Sequence, residues 1–206
     1  GMLTGTTAIW ASSTTNVWVG NSSGVVYRSS DNLATVTQTA EIRGALMRQP
    51  IVSIAGTGPT DVYVVNDKGE IARTTDQGLT YSLFSVSSAV PNVLWARAPS
   101  DLYMGTNGGF YRYNAATKGW TLLTPPAGST GGGPGRAIAA CSANDIFFAG
   151  QNEIWHSTDG STMKKLPTTG VGQAANWYAI DCIAPGRVII GGNGGSDGQP
   201  LIIESF

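Results

Sequence analysis

The chain has 206 residues, 12% of them charged, and a formal net charge of −1. That length suits one domain and is enough to bury a sizeable core. Near-neutral charge gives no basic footprint for nucleic acid and no polybasic or amphipathic segment for a membrane surface. No apolar run approaches the roughly 20 residues that span a bilayer. Glycine is abundant, at 28 residues, among many Ser, Thr and Asn. No window sustains a 3.6-residue apolar period, so strands and tight turns are expected rather than helices.

No signal peptide is read among these residues, and Gly1-Met2 reads as a tag remnant, ahead of which a targeting segment could have been cut away. Composition leaves the compartment open, with a lean towards a secreted or cell-surface setting. Two cysteines, Cys141 and Cys182, match no metal or redox spacing. Each falls in an apolar strand, so two small buried thiols are expected, with a disulfide as the less favoured reading.

Five segments align without gaps in chain order: residues 9–21, 54–66, 94–106, 138–150 and 180–192. Their anchors are Trp18, Tyr63, Tyr103, Phe147 and Ile189, spaced 45, 40, 44 and 42 residues apart. Such self-similarity marks a repeat architecture. Each unit reads as four strands. Strand A is apolar and rich in small residues. A turn closed by Asn16, Asp61, Asp101 or Asp145 leads to strand B, which alternates around the anchor. Gly/Asn turns such as Asn21–Gly24 and Asn66–Gly69 then suit hairpins, because these residues tolerate positive φ. Strand C is expected at Val25–Arg28, Glu70–Arg73, Phe110–Arg112, Glu153–His156 and Leu201–Glu204. Strand D is expected at Thr35–Gln38, Thr80–Phe84, Trp120–Leu123 and Met163–Leu166.

Four antiparallel strands per repeat of about 42 residues indicate propeller blades rather than a β-solenoid, whose repeats are shorter. The expected fold is therefore an all-β, five-bladed β-propeller forming a single domain over 1–206. Its blades are placed near 7–40, 51–87, 92–124, 136–168 and 177–206, and residues 2–6 supply the outer strand of the last. A fragment of a larger ring is the alternative.

Between strands C and D, Thr74-Thr-Asp76-Gln-Gly78-Leu-Thr80-Tyr81 carries a Ser/Thr-x-Asp-x-Gly-x-Thr-aromatic pattern. Partial copies occur at Ser29–Asp31 and Ser157–Gly160, and residues 113–120 depart from it. This resembles the Asp-box of BNR-repeat propellers, which include sialidases, sortilin-like receptors and photosystem assembly factors. The resemblance covers most of the chain and implies a fold rather than a function. Physically, the carboxylate accepts bonds from turn amides and the glycine permits the reversal, so Asp31, Asp76 and Asp159 are expected to build turns.

A sialidase-like reading needs an arginine cluster, a tyrosine nucleophile with a glutamate partner, and an acid/base Asp. Arg28, Arg73 and Arg112 instead share one repeated strand C position, and Glu70 and Glu153 share another. His156, the only histidine, aligns with those arginines and reads as their replacement; it cannot build a metal site or a catalytic triad by itself. Gly131–Gly135 opens no helix and lacks the Lys-Ser/Thr of a phosphate loop, so it reads as a flexible D–A connection.

Irregularity lies in the D–A loops, 40–50, 124–135 and 167–176, and variable loops on a regular scaffold are where binding sits. Strand A starts beside them, at Thr7, Val52, Asn92, Arg136 and Tyr178. Trp10, Asn92, Trp95, Arg97, Arg136, Trp177 and Tyr178 are therefore the candidate ligand-binding residues, with aromatics for stacking and Arg for bidentate bonds. For Trp10 and Trp95, packing between blades as ordinary core is the favoured reading, and for Trp177, Tyr178 and Arg136 a structural role stands level with binding. The leading expectation is non-catalytic recognition of a glycan or a protein or peptide ligand at the loop face and channel mouth. The alternatives are a sialidase/glycosidase-like hydrolase and a structural or assembly module acting through strand edges. No catalytic residue, cofactor or metal is assigned. A monomer is expected, with a strand-exchanged dimer as the alternative.

Overall fold

In the computed structural model, residues 5–40, 42, 49–129, 133–167, 176–185, 187–194 and 199–204 are described. They form strands and turns, in five antiparallel sheets. The first sheet is β1 (Thr6–Ser13), β2 (Asn16–Asn21), β3 (Val26–Ser29) and β4 (Thr37–Gln38). The second is β5 (Ile51–Gly56), β6 (Val62–Asn66), β7 (Glu70–Thr74) and β8 (Ser82–Val86). The third is β9 (Pro91–Ala98), β10 (Asp101–Thr106), β11 (Gly109–Asn114) and β12 (Gly119–Leu122). The fourth is β13 (Gly135–Ser142), β14 (Asp145–Gly150), β15 (Ile154–Ser157) and β16 (Lys164–Lys165). The fifth is β17 (Asn176–Ala184), β18 (Arg187–Gly194) and β19 (Gln199–Glu204). Each sheet is a meander in chain order, as short hairpin turns dictate.

Two expectations are corrected. Four sheets, not five, are four-stranded; the fifth has three strands among the described residues. Thr6 pairs with Asn21, and the Gly5 carbonyl accepts from the Ser22 amide at 2.8 Å, so residues 5 and 6 belong to the first sheet rather than completing the last. Residues 2–4 of that expected closing strand lie outside the described residues.

Contacts group the chain into two compact units, Gly1–Leu102 with Tyr113–Trp120, and Tyr103–Arg112 with Thr121–Phe206. Each has its own core. The first is built on Trp18, Ile51, Ile54, Val62 and Val64; the second on Phe147, Ile154, Trp177, Val188 and Ile190. The anchors Trp18, Tyr63, Tyr103 and Phe147 are all buried. Close approach between sheets explains why β2 carries glycine at Gly20: a Cβ there would sit 2.5 Å from the Ile51 side chain of β5.

The anchors face the repeated strand C cation across the ladder: Trp18 opposite Arg28, Tyr63 opposite Arg73, Tyr103 opposite Arg112, Phe147 opposite His156. The guanidinium groups lie 5.9, 5.2 and 5.5 Å from the first three rings, and the imidazole stacks on Phe147 with centroids 4.4 Å apart. Arg28, Arg73 and His156 also bond Asn16, Asp61 and Asp145 at the start of strand B, at 2.9, 2.7 and 2.6 Å. One repeated cation thus covers an aromatic ring and meets a turn residue.

The cysteines are also corrected. Cys141 and Cys182 form a disulfide joining β13 to β17, the inner strands of neighbouring sheets. They are half-buried rather than enclosed. Their separation of 41 residues is about one repeat, so sheet-to-sheet packing brings them to adjacent places. That spacing was the available signal.

Candidate functional site

The inner strands share an irregularity near their start. Thr6 and Ala8 pair with Asn21 and Gly20, so Thr7 has no opposite partner. Val52 is left out in the same way on β5, Arg136 on β13 and Tyr178 on β17. Asn92 holds the corresponding second place of β9. A bulge turns one side chain out of the pleat and commonly re-aims it beside a site. The backbone device therefore repeats while the side chain it presents changes from sheet to sheet. In the first unit, Thr7 uses its place structurally: its hydroxyl donates to the Ile51 carbonyl, at 2.5 Å.

In the second unit the bulges bring Arg136 and Tyr178 together. The Arg136 guanidinium stands 4.9 Å from the centroid of the Tyr178 ring. Tyr178 is 50% exposed, and Arg136 is half-buried with an Nε that has no hydrogen-bond partner. Along β17 and β18 lies an open hollow of ≈ 250 Å³, lined by Ala179, Ile180, Asp181, Ile189, Ile190 and Gly191. Its wall is aliphatic apart from Asp181, one of whose oxygens accepts from the Cys182 amide at 2.8 Å. The disulfide clamps β13 to β17 five residues beyond Arg136 and four beyond Tyr178.

The other candidates separate from this pair. Trp177 is 1% exposed and packs in the second core, where the pleat turns it inward as its bulged neighbour turns out. It is corrected from a surface contact to a core residue. Trp10 packs against the first core, and its ring occupies the space a side chain at Gly56 would need, so it serves sheet packing. Arg97 pairs with Asp101 across the A–B turn, at the opposite end of β9 from Asn92. Asn92 and Trp95 are half-buried on β9. Of the irregular loops, residues 41, 43–48, 130–132 and 168–175 lie outside the described residues. Sequence reasoning missed the hollow, because the residues of β17 and β18 give no sign of which face is left uncovered.

The C–D turns bear out a structural use of their acids. The Asp76 carboxylate accepts from the Thr80 amide at 2.9 Å, the Thr80 hydroxyl at 2.6 Å and the Thr74 hydroxyl at 2.8 Å. Asp31 meets Thr35 and Ser29 in the same way, and Asp159 meets Thr162, Ser161 and Ser157. These donors favour the carboxylate form and hold all three acids below the usual aspartate range, the threonine hydroxyl being the largest cause in each. Tyr81, which closes the complete copy of the motif, is half-buried against the first core; loss of solvation pushes its phenol up to about 12, and its hydroxyl bonds Thr39 at 3.1 Å. Arg28, Arg73 and Arg112 each lie over an anchor ring, so they do not converge as a cluster for a substrate carboxylate. Among the described residues no three His, Cys, Asp or Glu side chains gather as a metal site.

No protein-family profile matches the chain, and no curated protein matches it in sequence. Its fold does match solved structures. YCF48 bound to D1 peptide is similar over 98% of this chain and 93% of that one, at 14% identity and a TM-score of 0.53. Virginiamycin B lyase from Staphylococcus aureus is similar over 97% and 70%, at 15% identity and a TM-score of 0.70. The Niastella koreensis GH74 enzyme is similar over 92% of this chain but 34% of its own, at 18% identity and a TM-score of 0.62. These are β-propeller proteins, and the chain shares that fold. They include a peptide-bound protein and enzymes, so the fold by itself does not choose between binding and catalysis.

Proposed function

We propose that the chain is a non-catalytic recognition module that binds a segment of a protein or peptide at Arg136, Tyr178 and the hollow along β17–β18. The observations that carry this reading are the Arg136–Tyr178 pair and a hollow that begins at the next residue of β17, Ala179, and is lined mostly by aliphatic residues. An apolar side chain fills such a hollow without stranding polar groups. A sugar would place hydroxyls against Ala179, Ile180 and Ile189, where they lose water and gain few partners. The Arg136 guanidinium, held over the ring, offers its edge to a carboxylate of the same ligand. The likeness to YCF48, a propeller solved with a bound peptide, agrees with this choice.

The reading takes the chain as one domain and its Asp31, Asp76 and Asp159 turns as Asp-box turns, on the shared hydrogen-bond pattern. It also takes the setting as secreted or cell-surface, because a disulfide persists in oxidising compartments.

The test is a peptide array and a glycan array probed with the intact protein, Arg136→Ala and Tyr178→Ala. Peptides carrying an aliphatic residue near an acidic one are expected to bind, and both variants to lose at least tenfold in affinity. Binding to glycans alone, or no binding on either array, would overturn the proposal. So would turnover of a chromogenic glycoside.

A further inference from the structure

The fifth sheet departs from the repeat at one row of its ladder. In the other sheets an apolar residue of the inner strand stands opposite the aromatic anchor: Trp10 opposite Trp18, Ala55 opposite Tyr63, Ala139 opposite Phe147. The anchor in turn stands opposite a strand C cation, Arg28, Arg73 or His156. In the fifth sheet Asp181 stands opposite Ile189, and Ile189 opposite Glu204. This row holds neither the ring nor the cation, and acidic residues take its two ends.

The hollow adjoins the altered row, and both Asp181 and Ile189 line it. The bulge at Tyr178 decides which side chains of β17 reach it. Trp177 and Ile180 turn to the second core, while Tyr178, Ala179, Asp181 and Ile183 are exposed. Those four share the outward face of the strand. Asp61, Asp101, Asp145 and Glu153 each meet a basic side chain of the chain itself, but Asp181 meets none among the described residues. Its bond from the Cys182 amide orients one oxygen and leaves the other to a ligand.

Resting on the recognition reading above, we infer that the hollow takes a basic side chain of the peptide ligand, its methylene stem against Ile189 and its cationic head at Asp181. The ligand thereby supplies the cation that the chain itself carries in the equivalent row of the other sheets. Lys and Arg suit the place because their stems cover apolar surface while the head keeps a charged partner. An acidic side chain would meet like charge there. Tyr178, under Arg136, precedes Asp181 by three residues, about 10 Å along an extended strand. The recognised segment therefore presents an acidic residue to Arg136, an aliphatic one to Ala179 and a basic one to Asp181, in that order along β17.

Fluorescence anisotropy tests this with peptides that keep the acidic and aliphatic residues and carry Lys, Leu or Glu at the third place. The intact protein is expected to bind the Lys peptide at least tenfold more tightly than the Glu peptide, with Leu between them. Asp181→Lys should reverse that order. Asp181→Asn, which keeps the volume of the side chain, should bind all three alike and so reads the charge free of any folding defect. Equal affinity of the intact protein for the three peptides, or an order unchanged in both variants, would overturn this inference and leave the recognition reading standing. Failure of every peptide to bind the intact protein would overturn both.

Discussion

The guanidinium of Arg73 lies 5.2 Å from the ring centroid of Tyr63, its direct cross-strand partner, while its Nε donates to Asp61 at 2.7 Å. The carboxylate raises the already high pKa of Arg73, and burial raises that of Tyr63. One side chain thus ties the middle of the sheet to the turn that starts strand B. Arg73→Ala is expected to lower unfolding free energy by about 1–2 kcal/mol, through the lost ring contact and the stranded Asp61. His156→Arg restores the residue used in the other sheets and is expected to leave stability within about 0.5 kcal/mol. Denaturant melts of both variants check the pair.

Gly78 and Gly160 occupy equivalent turn positions at φ +83° and +75°. A Cβ on Gly78 would stand 2.8 Å from Thr39 and 3.1 Å from Trp18, and the Gly160 carbonyl accepts from the Tyr103 hydroxyl at 3.1 Å. These turns therefore butt against the anchor of the preceding repeat. Gly78→Val combines a strained backbone with a clash and is expected to cost about 2–4 kcal/mol. Thermal unfolding reads the loss, which should exceed that of Gly128→Val. Gly128 also has positive φ but meets nothing within 4 Å.

The turn acids set an acid limit. Asp31, Asp76 and Asp159 are held below their ordinary value of 3.8 in the folded chain, so below that value the unfolded chain binds more protons. Their contribution is fully present above the ordinary value and is lost as pH falls through the lower folded values. A plot of unfolding free energy against pH should be flat in this respect above pH ~4 and fall below it. Asp76→Asn should shallow that fall while lowering the plateau.

Reduction of Cys141–Cys182 releases a 41-residue loop. In the chain-entropy picture such a crosslink contributes about 4 kcal/mol. Cys141→Ser with Cys182→Ser should therefore unfold at lower denaturant, and thiol labelling of the native protein should find no free cysteine. Because the bond joins the strands that carry Arg136 and Tyr178, reduction should also weaken ligand binding.

The sequence by itself determined the repeat, the place of most strands, the turn chemistry and the repeated strand C cation. All of these are local: a hairpin places residues of two adjoining strands opposite each other, so a period of about 42 residues carries the pattern from sheet to sheet. His156 could be read as a stand-in for arginine for that reason. Tertiary structure decided the rest. Whether Trp177 or Tyr178 faces solvent depends on a one-residue bulge, which shifts the alternation and leaves no mark in composition. Whether Cys141 and Cys182 meet depends on how the inner strands of two sheets align. The hollow beside Asp181 depends on which face of β17 the neighbouring sheet leaves uncovered, and packing between sheets, unlike pairing within one, is not written in the spacing of the residues.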